Sequence, residues 1–427
     1  MNTAIIIALL ILAACFLIRI PIPLSIFIGS LSYILITGDD IGLIASSVMG
    51  SMYNNSTTVA IPLFIFLANI MTSSKVAEYM FTFVKSLFGK LRGATAYMNI
   101  LASLIFAGMS GSALADVCGI GMMEVEEMRR DGYDDPFSCA ITAATACVGP
   151  IFPPSVQLVI FAMLSGASVG ALFMGGVLPA LLICLSLGIY VAVISKKRNY
   201  PRGHKYTLRE FLQFTWKALP ALLTPVILLV GIYSGVVTAT ESGVLASAYA
   251  ILVAAFVYKV FTLKDLWNAI KTTVVQSSII MATMASVYAL NLVIVKSGLG
   301  AAVASTVLGV THNKYVFMLL VNLIFLLCGM FIPGEIPTYV IIPLLLPVAE
   351  TLGCDLVWFG VVVTINLIFG LITPPYGMMA FVISGTSGVE LSKIFKELIP
   401  MAIVLFLCLL LMIFIPDIVT LIPSLMG

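Results

Sequence analysis

The sequence predicts an all-α integral membrane protein made of two inverted five-span repeats, each with a re-entrant hairpin and a broken helix. Three observations carry that expectation. Of 427 residues, 61% are hydrophobic and only 9% charged, against about 25% charged in soluble domains. The basic residues sort almost entirely to one side of the predicted spans. A set of glycine and proline signatures recurs at one constant spacing.

So few charges cannot cover a water-exposed surface, and the mean hydropathy is +1.17. Lipid must therefore solvate most of it. A soluble enzyme, a nucleic-acid binder, a secreted disulfide scaffold and a disordered chain are excluded. Eight cysteines are scattered through apolar stretches with no C-x-x-C, and His204 and His312 are the only histidines. That pattern reads as packed thiols, with no transition-metal site and no organic cofactor.

The first apolar run, 4–18, has no basic flank or small-residue cleavage site and reads as a span rather than a signal peptide. Further spans are predicted over 24–37 and 57–72. Residues 75–92 mix Lys85, Lys90 and Arg92 with Phe81, Phe83 and Phe88, the pattern of a helix lying in the interface. The next apolar run, 94–109, is shorter than the roughly 20 residues a crossing needs. With the Ser110-Gly111-Ser112 knot behind it, 94–130 reads as a hairpin of two half-helices. Residues 137–165 form a helix broken at Gly149-Pro150-Ile151-Phe152-Pro153-Pro154-Ser155, and 171–195 spans again.

The pattern then repeats. Gly108-Met109, Asp134, Gly149 and Pro153-Pro154 recur as Gly329-Met330, Asp355, Gly370 and Pro374-Pro375, each pair 221 residues apart. This defines repeat 1 (1–195) and repeat 2 (217–427), joined by a basic connection over 196–216. Repeat 2 is expected to hold a hairpin over 314–350, a broken helix over 356–387 and a second amphipathic segment over 296–313. Five crossings per repeat invert the second copy. With both termini outside, 19 of the 21 basic residues fall inside, leaving only Lys296 and Lys314, as the positive-inside rule requires.

Backbone freed from a helix within a bilayer costs several kcal/mol unless something satisfies it. A double proline removes two donors and leaves carbonyls, which are hard oxygen ligands for a cation. The half-helix N-termini beyond each break and at each hairpin tip suit an anionic group. One such break reads equally as a proline kink. Two at matching positions, each with a hairpin, favour the midplane site of a secondary transporter.

These residues also carry a family resemblance. Phe106-Ala-Gly-Met-Ser-Gly-Ser-Ala-Leu-Ala-Asp116, Thr238-Ala-Thr-Glu-Ser242, Cys328-Gly-Met-Phe331 and Gly370-Leu-Ile-Thr-Pro-Pro-Tyr-Gly377 resemble the large membrane (M) subunit of tripartite ATP-independent periplasmic (TRAP) transporters, in its unfused, DctM-like form. The resemblance implies an elevator-type, sodium-coupled importer in the bacterial inner membrane. It implies a small four-helix membrane (Q) subunit and a periplasmic binding protein (P) as partners, the latter delivering an organic anion such as a C4-dicarboxylate or sugar acid. Carried over residue by residue, it implies one sodium site at Ala107, Ser110, Gly149, Phe152 and Pro154 and a second at Gly329, Gly370, Thr373 and Pro375. Substrate would lie near Ser112, Asp116, Gln157 and Glu335. The family often has an acid four residues after the hairpin glycine; here Pro333 holds that place and the acid is Glu335.

Asp116 is either a site carboxylate at membrane depth or a cap of its half-helix. Glu335 either lines the cavity or starts a half-helix. Glu241 is expected to cap a helix, and Asn69, Asn99, Asn291, Asn322 and Asn366 to bond between helices. An intramembrane protease would need a paired acid, a Ser–His dyad or H-E-x-x-H, none of which is evident. A pump would need a nucleotide loop, also absent. Broken inverted repeats favour alternating access over a channel. A stand-alone dicarboxylate or citrate carrier of similar fold is the alternative reading.

Overall fold

The computed structural model describes residues 3–425 except 55, 74, 75, 90, 205 and 333–335. Among them there is no β-strand, only an isolated bridge between Arg92 and Arg202. Six helices are long and apolar enough to cross a membrane, or seven if the bent pair Gly42–Tyr53 and Thr57–Thr72 counts as one span.

Two helices run through the centre, and both stop at a double proline. Asp135–Ala146 ends before the stretch 147–155, and Val156–Ser165 follows; Leu356–Gly370 ends before 371–377, and Met378–Ser387 follows. Both breaks contain a cis Pro-Pro peptide, Pro153-Pro154 and Pro374-Pro375. Every residue from Phe137 to Ala146 and from Trp358 to Gly370 is buried. A helix apolar on all faces must lie inside other helices. The two broken helices meet where the Phe161 ring packs edge-on to Phe359, centroids 6.0 Å apart. Gly360 makes room for that ring: a Cβ there would overlap it.

Helix–tip–helix units flank these axes. Ala94–Ser110 turns at Gly111, whose φ is 59°, into a second arm beginning at Ala113 and ending at Arg130. Ser112 caps that arm through the Ala115 N–H. In the other half, Lys314–Phe331 leads to Ile336–Thr351 across residues that include 333–335, outside the described set. The long helices Val169–Lys197 and Leu391–Phe414 pack against the broken ones, while Ile22–Thr37, Ala60–Ser73, Leu208–Tyr233, Ala239–Leu252 and Leu263–Ser297 pack among themselves around this inner group.

Caps follow the sequence closely. Glu241 and Thr238 form a capping box, as do Thr207 with Glu210 and Thr262 with Asp265, each satisfying two orphan N–H groups. Three elements differ from expectation. Gly42–Asn54 is an additional helix; its serines interrupt the apolar pattern. Leu263–Ser297 runs unbroken for 35 residues, about 50 Å at 1.5 Å per residue, where the first half has two bent pieces. Within the segment read as amphipathic over 296–313, the helix Leu299–Val310 contains no charged residue, in contrast to Val76–Leu87; the charge of Lys296 belongs to the preceding helix.

The polar asparagines mostly bond across helices. Asn99 donates to Thr142 Oγ1 at 2.7 Å and accepts from Thr145 Oγ1 at 2.7 Å. Asn366 donates to the Asn322 carbonyl. Asn322 donates within its own helix, to the Met318 carbonyl.

Candidate transport site

The first hairpin tip sits directly on the first break. A Cβ on Gly111 would stand 2.5 Å from the Pro154 carbonyl oxygen, and one on Gly108 would stand 3.5 Å from the Phe152 ring and 3.6 Å from the Pro153 carbonyl oxygen. At Gly111 only glycine lets backbone approach backbone this closely, and its positive φ favours glycine as well. The Gly111 N–H donates to the Ala107 carbonyl at 3.3 Å. Ala107, Phe152 and Pro154 thus surround one tip-on-break contact, and Ser110 closes the helix leading into it. Gly149 lies on the other side of the break, against Asp116: a Cβ there would stand 2.5 Å from its Oδ2.

In the second half the contact on the break is made by the last turn of the helix Lys314–Phe331. A Cβ on Gly370 would stand 2.6 Å from the Gly329 carbonyl carbon and 2.7 Å from its Cα. Thr373 follows one turn on, its hydroxyl donating to the Phe369 carbonyl at 2.6 Å. This break is more open than the first: Thr373 is half-buried and Pro375 exposed, while Pro154 is buried.

A cavity of about 530 Å³ lies between the first tip and the surrounding helices. Its wall takes Ser112 from the tip, Gln157 from beyond the first break, Leu371 from the second, and Tyr339 from the second hairpin. Helices Ala60–Ser73 and Leu263–Ser297 supply Asn69 and Gln276. Asn69 Nδ2 donates to Gln276 Oε1 at 3.1 Å and to Thr273 Oγ1 at 3.0 Å. Gln157 Oε1 is buried and has no hydrogen-bond partner. The described wall contains no lysine or arginine. An anion there would meet amides, hydroxyls and the N-terminus of the arm starting at Ala113.

The expected substrate residues therefore separate. Ser112 and Gln157 line the cavity. Asp116 does not: it is buried behind the tip, 5% exposed, in a gap it shares with Glu124. Glu335 lies outside the described residues. Sequence reasoning missed the Asn69–Gln276 amide pair, although Asn69 stands out as a polar group in an apolar run. It also missed Glu124, hidden in the charged run that ends the arm.

A second cluster ties the elements at the basic connection. Arg198 makes a two-pronged contact with Glu397, 2.8 Å to each carboxylate oxygen, and reaches Asp134 Oδ2 at 3.3 Å. Tyr200 donates to the same Asp134 oxygen at 2.7 Å. Arg129 joins Asp135 at 2.9 Å to the Ser387 carbonyl at 2.9 Å. These contacts hold the start of the first broken helix against the helix Leu391–Phe414 and the end of the second.

Central broken helices, a hairpin tip closing on one break and a cavity lined by apolar side chains with a few amides and hydroxyls mark a multi-pass membrane transport protein rather than an enzyme. The chain belongs to the family of the tripartite ATP-independent periplasmic transporter, DctM component, whose model matches residues 9–418. The family reading made from the motifs is thus borne out. The chain is 36% identical over 406 residues to the sialic acid TRAP transporter large permease protein SiaM of Vibrio cholerae, covering 95% of both chains. It is 31% identical over 399 residues to the C4-dicarboxylate TRAP transporter large permease protein DctM of Pseudomonas aeruginosa, covering 93% of both. In fold it resembles the YdaH transporter of Alcanivorax borkumensis, with a TM-score of 0.64 at 12% identity over 87% of this chain and 88% of that one.

Proposed function

We propose that this subunit imports an organic acid anion across the bacterial inner membrane, driven by sodium. It works with a small four-helix membrane subunit and receives its substrate from a periplasmic binding protein. Relatives named for sialic acid and for C4-dicarboxylates support the organic acid class. The observation that carries the reading is the pair of close backbone contacts on the breaks, the tip residue Gly111 on Pro154 and the helix residue Gly329 on Gly370, beside a cavity with no cationic side chain among its described residues. Such a wall has no fixed positive charge to meet a carboxylate. A co-transported cation held by neutral oxygens supplies it, which couples the two solutes electrostatically.

In this reading residues 1–195 and 217–427 are inverted repeats with both termini periplasmic. Sodium takes the carbonyls and hydroxyls around Ala107, Ser110, Gly149, Phe152 and Pro154, and those around Gly329, Gly370, Thr373 and Pro375. The inner group of hairpins and broken helices moves as an elevator against the outer helices. The test is uptake into proteoliposomes holding the chain with its membrane partner, given binding protein, a panel of carboxylates and sugar acids, and an inward sodium gradient. Uptake should need both the gradient and the binding protein. Undiminished uptake with potassium in place of sodium refutes the coupling. Full-rate uptake by the chain alone refutes the tripartite reading and points to a stand-alone symporter.

A further inference from the structure

Behind the first tip, the second arm buries two acids, Asp116 at 5% and Glu124 at 1% exposure. Eight residues apart on a regular α-helix, they would point about 80° away from each other. Between them Val117–Gly121 forms a π-helical turn, which inserts one residue into the helical count. The effective spacing becomes seven, and the two side chains fall within about 20° of one face. Both line a single gap, with Ser103 and Phe106 from the first arm and Thr142 and Ala146 from the broken helix.

That gap has no room for a water molecule. Glycines hold it tight: a Cβ on Gly121 would stand 2.8 Å from the Thr142 methyl, and one on Gly149 would strike the Asp116 carboxylate. The neighbouring hydroxyls donate elsewhere, Ser103 to Thr145 Oγ1 at 3.0 Å and Thr142 to the Ser138 carbonyl at 2.9 Å. Glu124 Oε1 has no hydrogen-bond partner. The helices packed on this arm bring Tyr97, Asp135 and Cys139 as titratable groups, and none lines the gap; Met378–Ser387, also packed there, has none. On the arm itself Glu127 pairs with Lys85, Arg129 with Asp135, and Glu126 and Arg130 are exposed. Among the described residues lining the gap, the one ionisable side chain beside Glu124 is thus another carboxyl, Asp116.

Burial without a counter-charge disfavours an ionised carboxylate in such a place, and a second one beside it adds repulsion. The neutral acid carries no such cost. The fold itself does not call for an acid here. Shifted by 221 residues, Glu124 falls on the buried Leu345 and Asp116 on Pro337, so hydrocarbon fills the corresponding place in the second hairpin.

We propose that Glu124 is a proton-binding site, carrying its proton while the first hairpin is packed on the helix Asp135–Ala146. The site is additional to the sodium reading and does not depend on it. The test is infrared spectroscopy of the lipid-reconstituted complex at about pH 8, where an ordinary glutamate is ionised. The wild type should show the carbonyl band of a protonated carboxylic acid. Glu124→Gln, isosteric with the neutral acid, and Glu124→Leu, copying the second hairpin, should both lack it, whereas Asp116→Asn should keep it. A wild-type spectrum without the band overturns the proposal, as does a band that survives in both Glu124 variants or disappears only in Asp116→Asn. Because the band is read without transport, failure of sodium-driven uptake leaves this result standing on its own.

Discussion

Replacing Gly370 with alanine tests whether the end of the helix Lys314–Phe331 must close on the second break. The added Cβ would lie 2.6 Å from the Gly329 carbonyl carbon, 2.7 Å from its Cα and 3.0 Å from the Met330 nitrogen. Carbon atoms in good contact sit at about 3.5–4.0 Å, so the shortfall is about 1 Å. All three obstructing atoms are backbone, so no rotamer change relieves it; the end of the helix Lys314–Phe331 must move off the break. Overpacking of this kind costs about 1–3 kcal/mol, which lowers the population of the closed contact by about 5- to 150-fold. The sodium concentration giving half-maximal uptake in proteoliposomes should rise toward that range. The control is Gly309→Ala in the helix Leu299–Val310, where a Cβ meets nothing within 4 Å; it should leave transport unchanged and stabilise the helix by about 0.5–1 kcal/mol. If Gly370→Ala and Gly309→Ala share one sodium curve, closure of the Gly329 backbone on the second break is not what binds the ion.

Thr373→Val removes an oxygen from the second break while keeping the side chain's shape; half-maximal sodium should rise about tenfold, the scale of one charge-assisted interaction, and an unchanged curve removes Thr373 from the site. Arg198→Met and Glu397→Leu, alone and together, should show a coupling of about 0.5–1 kcal/mol in thermal unfolding, kept small by the partial exposure of both partners; additivity would mean the two-pronged contact contributes nothing. Asp39 accepts from Lys296 at 2.6 Å and from Thr37 at 2.8 Å, and the Lys296 ammonium, with the Thr37 hydroxyl second, holds its carboxyl below the ordinary 3.8. A folded value below the unfolded one stabilises at pH above 3.8 and is lost as pH falls through the lower folded value. Asp39→Asn should therefore flatten the acid limb of the melting temperature against pH below about pH 4, and parallel wild-type and variant curves would show that the contact is inert.

Much of this architecture is legible in the sequence because the interruptions are chemical. A double proline ends a helix wherever it falls, so Pro153-Pro154 and Pro374-Pro375 mark both breaks, and their common spacing predicts the paired elements around them. Thr238 and Glu241 announce a helix start by hydrogen-bonding chemistry alone. What resists reading is direction and closure. Asp116 looks like a cavity carboxylate by its distance from Ser110, yet one π turn after it governs which face it shares with Glu124, and nothing in Val117-Cys-Gly-Ile-Gly121 fixes that turn without the glycine-lined contact with Thr142. The amides Asn69 and Gln276 lie more than 200 residues apart in the chain and meet only because two outer helices pack together. Arg198 reads as one charge in a solvated basic run until Asp134 and Glu397 converge on it. Local chemistry writes the breaks, but partners contributed from distant segments decide what each break faces. The structure therefore assigns Ser112 and Gln157 to the cavity and Asp116 to the gap behind it, a division that spacing along the chain could not supply.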